Sequence, residues 1–159
     1  MKKLLLGLLI TFAGTSFAET QSKCELDTYL RLHPRIFSGT VKAERSDINA
    51  IECLFEAGKL SVKNETVKGR INDPELNIKG KFVYRTNNVL PALTEACRID
   101  AFIDLKPRIL SSWVKIERSN LNAYECLLKA FEIAEENDKV NIMINDEELN
   151  LKGDFKIRK

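Results

Sequence analysis

Laid on itself with Cys24 over Cys97, the chain repeats without a gap at a constant offset of about 73 residues. Leu32-His33-Pro34-Arg35-Ile36 falls on Leu105-Lys106-Pro107-Arg108-Ile109, and Val41-Lys42-Ala43-Glu44-Arg45-Ser46 on Val114-Lys115-Ile116-Glu117-Arg118-Ser119. Glu52-Cys53-Leu54 meets Glu125-Cys126-Leu127, and Ile71-Asn72-Asp73 meets Ile144-Asn145-Asp146. Roughly half of about 62 aligned positions are identical, so one structural unit is present twice. The units are expected at 19–85 and 97–159, joined by a linker over 86–96 that carries Asn87-Asn88 and Pro91 as breakers.

Residues 1–18 read as a secretory signal. Lys2 and Lys3 precede an apolar core from Leu4 to Phe12, and Ser16-Phe17-Ala18 supplies small residues for cleavage. About nine apolar residues are too few to cross a bilayer, which needs roughly twenty. The expectation is therefore a periplasmic or secreted protein with no transmembrane segment in its mature part. In such a compartment four cysteines point to two disulfides rather than to metal or redox chemistry. A duplicated unit brings its own bridge, which selects Cys24–Cys53 and Cys97–Cys126.

Both units alternate with period two from Cys24 to Leu32 and from Cys97 to Leu105, the pattern of a half-covered strand. A second strand follows around Val41 and Val114. Ser46 and Ser119 are expected to cap a helix whose broad apolar face carries Cys53 or Cys126, Leu121, Tyr124, Leu127 and Leu128. Gly58 is expected to stop the first helix early. Alternation from Val67 to Ile71 and from Leu76 to Tyr84, around Asn72-Asp73-Pro74-Glu75, closes the unit as a hairpin. The fold class is α+β, two tandem β-β-α-β-β units with one disulfide each.

Chemistry-bearing groups are few. His33 is the single histidine, and the second unit has Lys106 in its place. No nucleophile elbow, zinc motif or phosphate-cradling glycine loop is present. No catalytic residue, metal ligand or cofactor is assigned. Asn72-Asp73 with Glu75, and Asn145-Asp146 with Glu147 and Glu148, offer oxygen ligands of the kind calcium takes, but at no familiar spacing. Without Lys2 and Lys3 the chain holds 25 less 2, or 23, basic residues against 23 acidic ones. That neutrality argues against a nucleic-acid partner.

Two surfaces stand out as binding candidates. Tyr29, Phe102 and Trp113, with Ile36 and Ile109, alternate away from the strand faces assigned to the core. This aromatic face is expected to pack one unit on the other, with Trp113, whose counterpart is Thr40, as the residue that could serve an external site. Lys68, Arg70, Lys79, Lys81 and Arg85 form a basic face on the first hairpin. It reads either as edge-strand protection against aggregation or as a dock for an acidic partner. The functional expectation is an exported, non-enzymatic binding protein of the bacterial cell envelope, with a protein partner. An inhibitor or immunity-type protein against a periplasm-acting enzyme or toxin is favoured. The alternatives are an assembly factor of an envelope or secretion machine and a carboxylate- or metal-dependent enzyme.

Overall fold

The structure is a computed structural model that describes residues 23–30, 38–86, 95–105 and 108–159. The proposed signal at 1–18, most of the linker, His33 and Ile36 lie outside the described residues. The first unit runs β1 (Cys24–Leu30), β2 (Gly39–Ser46), α1 (Ala50–Ser61), β3 (Thr66–Asp73) and β4 (Ile78–Arg85). The second repeats it as β5 (Cys97–Ile103), β6 (Ser112–Ser119), α2 (Ala123–Glu136), β7 (Lys139–Asp146) and β8 (Leu151–Arg158). Each carries the expected disulfide, Cys24–Cys53 or Cys97–Cys126, which ties the first strand to the helix. No helix among the described residues is long and apolar enough to cross a membrane.

The two units share one eight-stranded antiparallel sheet in the order β2-β1-β3-β4-β8-β7-β5-β6. They join through β4 and β8, not through the aromatic face, and that expectation is corrected here. In this seam Lys81 lies opposite Asp154, its equivalent in the other unit. A local two-fold axis normal to the sheet therefore passes between them. Exact duplication would set like charges directly opposite one another, which is destabilising, and the Lys/Asp divergence removes that repulsion.

On the covered side of the seam, Phe82 faces Gly153 and Phe155 faces Gly80. Their rings lie 6.3 Å apart and nearly parallel. A Cβ on Gly80 would come within 2.1 Å of the Phe155 ring, and one on Gly69 within 2.0 Å of the Phe82 ring. The glycines leave the room that the two rings fill. Both helices cover this side, α1 over β1, β3 and β4 and α2 over β5, β7 and β8. One continuous core results, with Leu26, Val67, Ile71, Ile99, Ile142, Ile144 and Leu151 at its centre.

Local expectations needed three corrections. Asn49 and Asn122, not Ser46 and Ser119, cap the helices. The Asn49 carboxamide oxygen accepts from the Ile51 and Glu52 amides at 3.0 Å, and Glu52 accepts in return from the Asn49 amide at 3.3 Å. Asn122 and Glu125 repeat this capping box. Ser46 and Ser119 instead end β2 and β6. Gly58 lies inside α1, which continues to Ser61. The broad helical face is only partly covered: Cys126, Leu127 and Ala130 are buried, but Tyr124 and Leu128 remain nearly half exposed.

The sheet ends in β2 and β6. Each holds one residue out of register against its neighbour, at Ala43 and Ile116, beside Lys42 and Lys115. Bulges and lysines of this kind discourage further strands from adding to an open edge.

Candidate binding surface: the open side of the sheet

Period two places every second residue of the eight strands on the side away from the helices, and strand register shows which of them are neighbours. The middle row reads Arg45, Glu25, Arg70, Lys81, Asp154, Met143, Arg98 and Arg118 from β2 across to β6. The row on one side runs through Asn72, Lys79, Lys156, Asn141, Asp100 and Lys115. The row on the other runs through Lys42, Asp27, Lys68, Val83, Lys152 and Asn145.

The predicted basic face is thus assembled as a surface. Lys68, Arg70, Lys79, Lys81 and Arg85 all project from β3 and β4 on the open side, and Lys152, Lys156, Arg158 and Lys139 extend it across β8 and β7. On the open side the four central strands carry nine basic residues and one acid, Asp154; Asp73 and Asp146 of these strands are buried on the other side. Because β3 and β4 are interior strands, edge protection does not account for these lysines, and that reading is corrected. Sequence neutrality concealed the pattern, since the compensating acids lie elsewhere on the molecule.

Internal pairing neutralises little of this charge. Arg70 reaches Glu25 at 3.5 Å. Further out, Arg45 pairs with Asp27 at 2.7 Å and Arg118 with Asp100. The other eight central cations form no ion pair with a described residue. A shallow hollow of about 560 Å³ at the seam is lined by Glu25, Arg70, Lys79, Lys81, Asp154 and Lys156, among others. Arg70, Lys79, Lys81 and Lys156 are all exposed there.

The aromatic candidates are not brought together. Phe102 and Trp113 are cross-strand partners at one end of the sheet, with ring centroids 5.5 Å apart, and the Lys139 ammonium lies 4.7 Å from the Phe102 ring. Tyr29 sits on β1, five strand spacings across the sheet, about 24 Å, and displaced along the strands as well. Tyr29 and Phe102 are equivalent residues, and the two-fold axis sends them to opposite ends. Trp113 is half exposed beside the basic rows, while Ile109 is exposed on a short 3-10 turn at Arg108–Leu110.

The acidic turns prove to be structural. Asp73 is fully buried; one carboxylate oxygen accepts from the Ala50 amide at 3.1 Å, the other from the Glu75 and Leu76 amides at 3.0 and 3.2 Å. Asp146 accepts from the Ala123 and Leu149 amides at 2.8 and 2.9 Å. Each aspartate pins the hairpin turn to the first residue of its helix. Asn77 and Asn150 complete the turns at positive φ, which asparagine tolerates. Among the described residues no group of three or more His, Cys, Asp or Glu side chains is arranged to hold a metal ion. No protein-family model, no curated protein and no solved structure matches this chain.

Proposed function

We propose that the chain is an exported, non-enzymatic binding protein of the bacterial cell envelope that docks an acidic protein partner on the open side of its sheet. The observation that carries this reading is the excess of nine basic residues over one acid on the open side of four adjacent central strands. A solvated surface this one-sided attracts an opposite charge and speeds encounter with it. The signal-like residues 1–18 and the two disulfides support export to an oxidising compartment. Within this class the favoured role is an inhibitor or immunity-type protein that covers an acidic surface of an enzyme or toxin.

The test is capture from the native envelope by the tagged mature protein and by a Lys79→Glu/Lys81→Glu/Lys156→Glu variant. One stoichiometric acidic protein should bind the parent, be displaced by salt, and be lost at least tenfold with the variant. Equal recovery by both forms would move the binding site elsewhere. Several components of one envelope machine in place of a single hydrolase or toxin would favour the assembly reading.

A further inference from the structure

On the opposite, covered side, α1 and α2 do not close over the seam. Between them runs a groove of about 490 Å³, floored by Tyr84 and Leu151 and walled by Leu54, Phe55, Tyr124 and Leu149, with Val62 at its mouth. Much of this apolar surface faces solvent: Phe55 is 63% exposed, Val62 81% and Leu149 51%. Contiguous exposed apolar surface of this kind marks contact sites.

A difference between the units opens the groove. Gly58 of α1 corresponds to Phe131 of α2, which packs against the core. A Cβ on Gly58 would meet nothing nearer than the Tyr84 hydroxyl at 3.8 Å. The first helix therefore leaves empty the volume that its counterpart fills.

Charge defines the occupant. At the α2 end, Glu148 lines both the groove and an adjoining hollow of about 250 Å³ that also holds Glu125 and Glu147. None of the three is ion-paired with a described residue. Lys59, the groove's cation, is already paired with Glu56 at 2.6 Å. A second copy docked groove to groove would bring no free cation to these carboxylates, because its Lys59 is paired with Glu56 in the same way.

We propose that this groove receives an amphipathic helix of a partner protein, apolar along one side and carrying Lys or Arg where it reaches Glu147 and Glu148. Laying the apolar side of a helix into a hydrophobic groove is a recurring mode of peptide recognition. Because the groove and the basic surface lie on opposite sides of the sheet, both can be occupied at once.

Two synthetic helical peptides of equal length and leucine spacing, one with lysine and one with glutamate at the polar positions, serve as probes of the full mature chain. The lysine peptide should bind, and Gly58→Phe should weaken it at least tenfold by filling the groove as Phe131 does. Phe55→Ser/Val62→Ser alters exposed residues and should weaken it similarly without disturbing folding. Glu147→Gln/Glu148→Gln should weaken it several-fold. The Lys79→Glu/Lys81→Glu/Lys156→Glu variant should bind this peptide undiminished, which separates this site from the basic surface. Binding indifferent to both groove variants would overturn the proposal, as would groove-dependent binding of the glutamate peptide with equal affinity. So would self-association that Gly58→Phe abolishes, since the occupant would then be a second copy.

Discussion

Replacing Asp73 by asparagine keeps the side chain's shape and removes one acceptor, which isolates the work of the buried carboxylate. In the native structure its two oxygens serve different elements: one takes the Ala50 amide at the start of α1, the other takes the Glu75 and Leu76 amides of the turn. A carboxamide has one oxygen. Directed at the turn, it keeps two donors satisfied but sets its NH2 group against the Ala50 N–H, and Ala50 is only 1% exposed. The loss is one charge-assisted hydrogen bond of about 1.5–3 kcal/mol, together with an unsatisfied buried donor at about 1–3 kcal/mol. These costs overlap, so the expected destabilisation is about 2–4 kcal/mol, a large part of the roughly 5–15 kcal/mol that holds a typical domain folded. Urea unfolding of oxidised Asp73→Asn against the parent measures it, and Asp73→Ala should lose at least as much. A change below about 0.5 kcal/mol, the range of an uninvolved surface site, would refute the tether.

Other expectations follow from the same packing. Cys24→Ser/Cys53→Ser opens a loop of sequence separation 29 and should cost about 3.6 kcal/mol by chain entropy, read as a lower urea midpoint. Gly69→Ala forces the buried Phe82 ring aside and should destabilise by about 1–3 kcal/mol. Gly58→Ala has room for its methyl inside α1 and should instead stabilise by about 0.5–1 kcal/mol, so the two thermal melts should move in opposite directions. Burial, and secondarily the Asp146 carboxylate, push the Tyr84 phenol up to about 12 from 10.0. The folded state thus holds this proton more tightly than the unfolded chain does. Its contribution of about 2–3 kcal/mol is complete below pH 10 and is lost as pH rises toward 12. Ultraviolet titration should show a late tyrosinate step that Tyr84→Phe abolishes. Trp113→Ala should leave the melt nearly unchanged, because the indole is half exposed, while lowering capture of any partner that covers that end of the sheet.

How far the chain could be understood without coordinates depended on the range of each interaction. Strand alternation from Cys24 and from Val67 was legible because each strand has one covered side, and a single exchanged position would bury a charge. The disulfides were legible because a duplicated unit carries its own pair. The helix caps are equally local: Asn49-x-x-Glu52 and Asn122-x-x-Glu125 have the capping-box spacing, whereas Ser46 and Ser119 lie within strands. Gly58 misled because a glycine that ends some helices is tolerated inside one held by packing.

Strand order was another matter. Nothing in the local pattern of β4 or β8 says that each is the other's neighbour, and both proposed binding surfaces depend on that pairing. It turns β4 from an edge into an interior strand, joins lysines far apart in the chain into one surface, and carries Tyr29 and Phe102 to opposite ends. It also sets α1 beside α2, so that the absent side chain at Gly58 becomes a groove. Periodicity is a property of neighbours along the chain and survives in one dimension. Charge density and concavity are sums over residues from several strands and helices, and they take a value only when long-range pairing has decided which residues are adjacent.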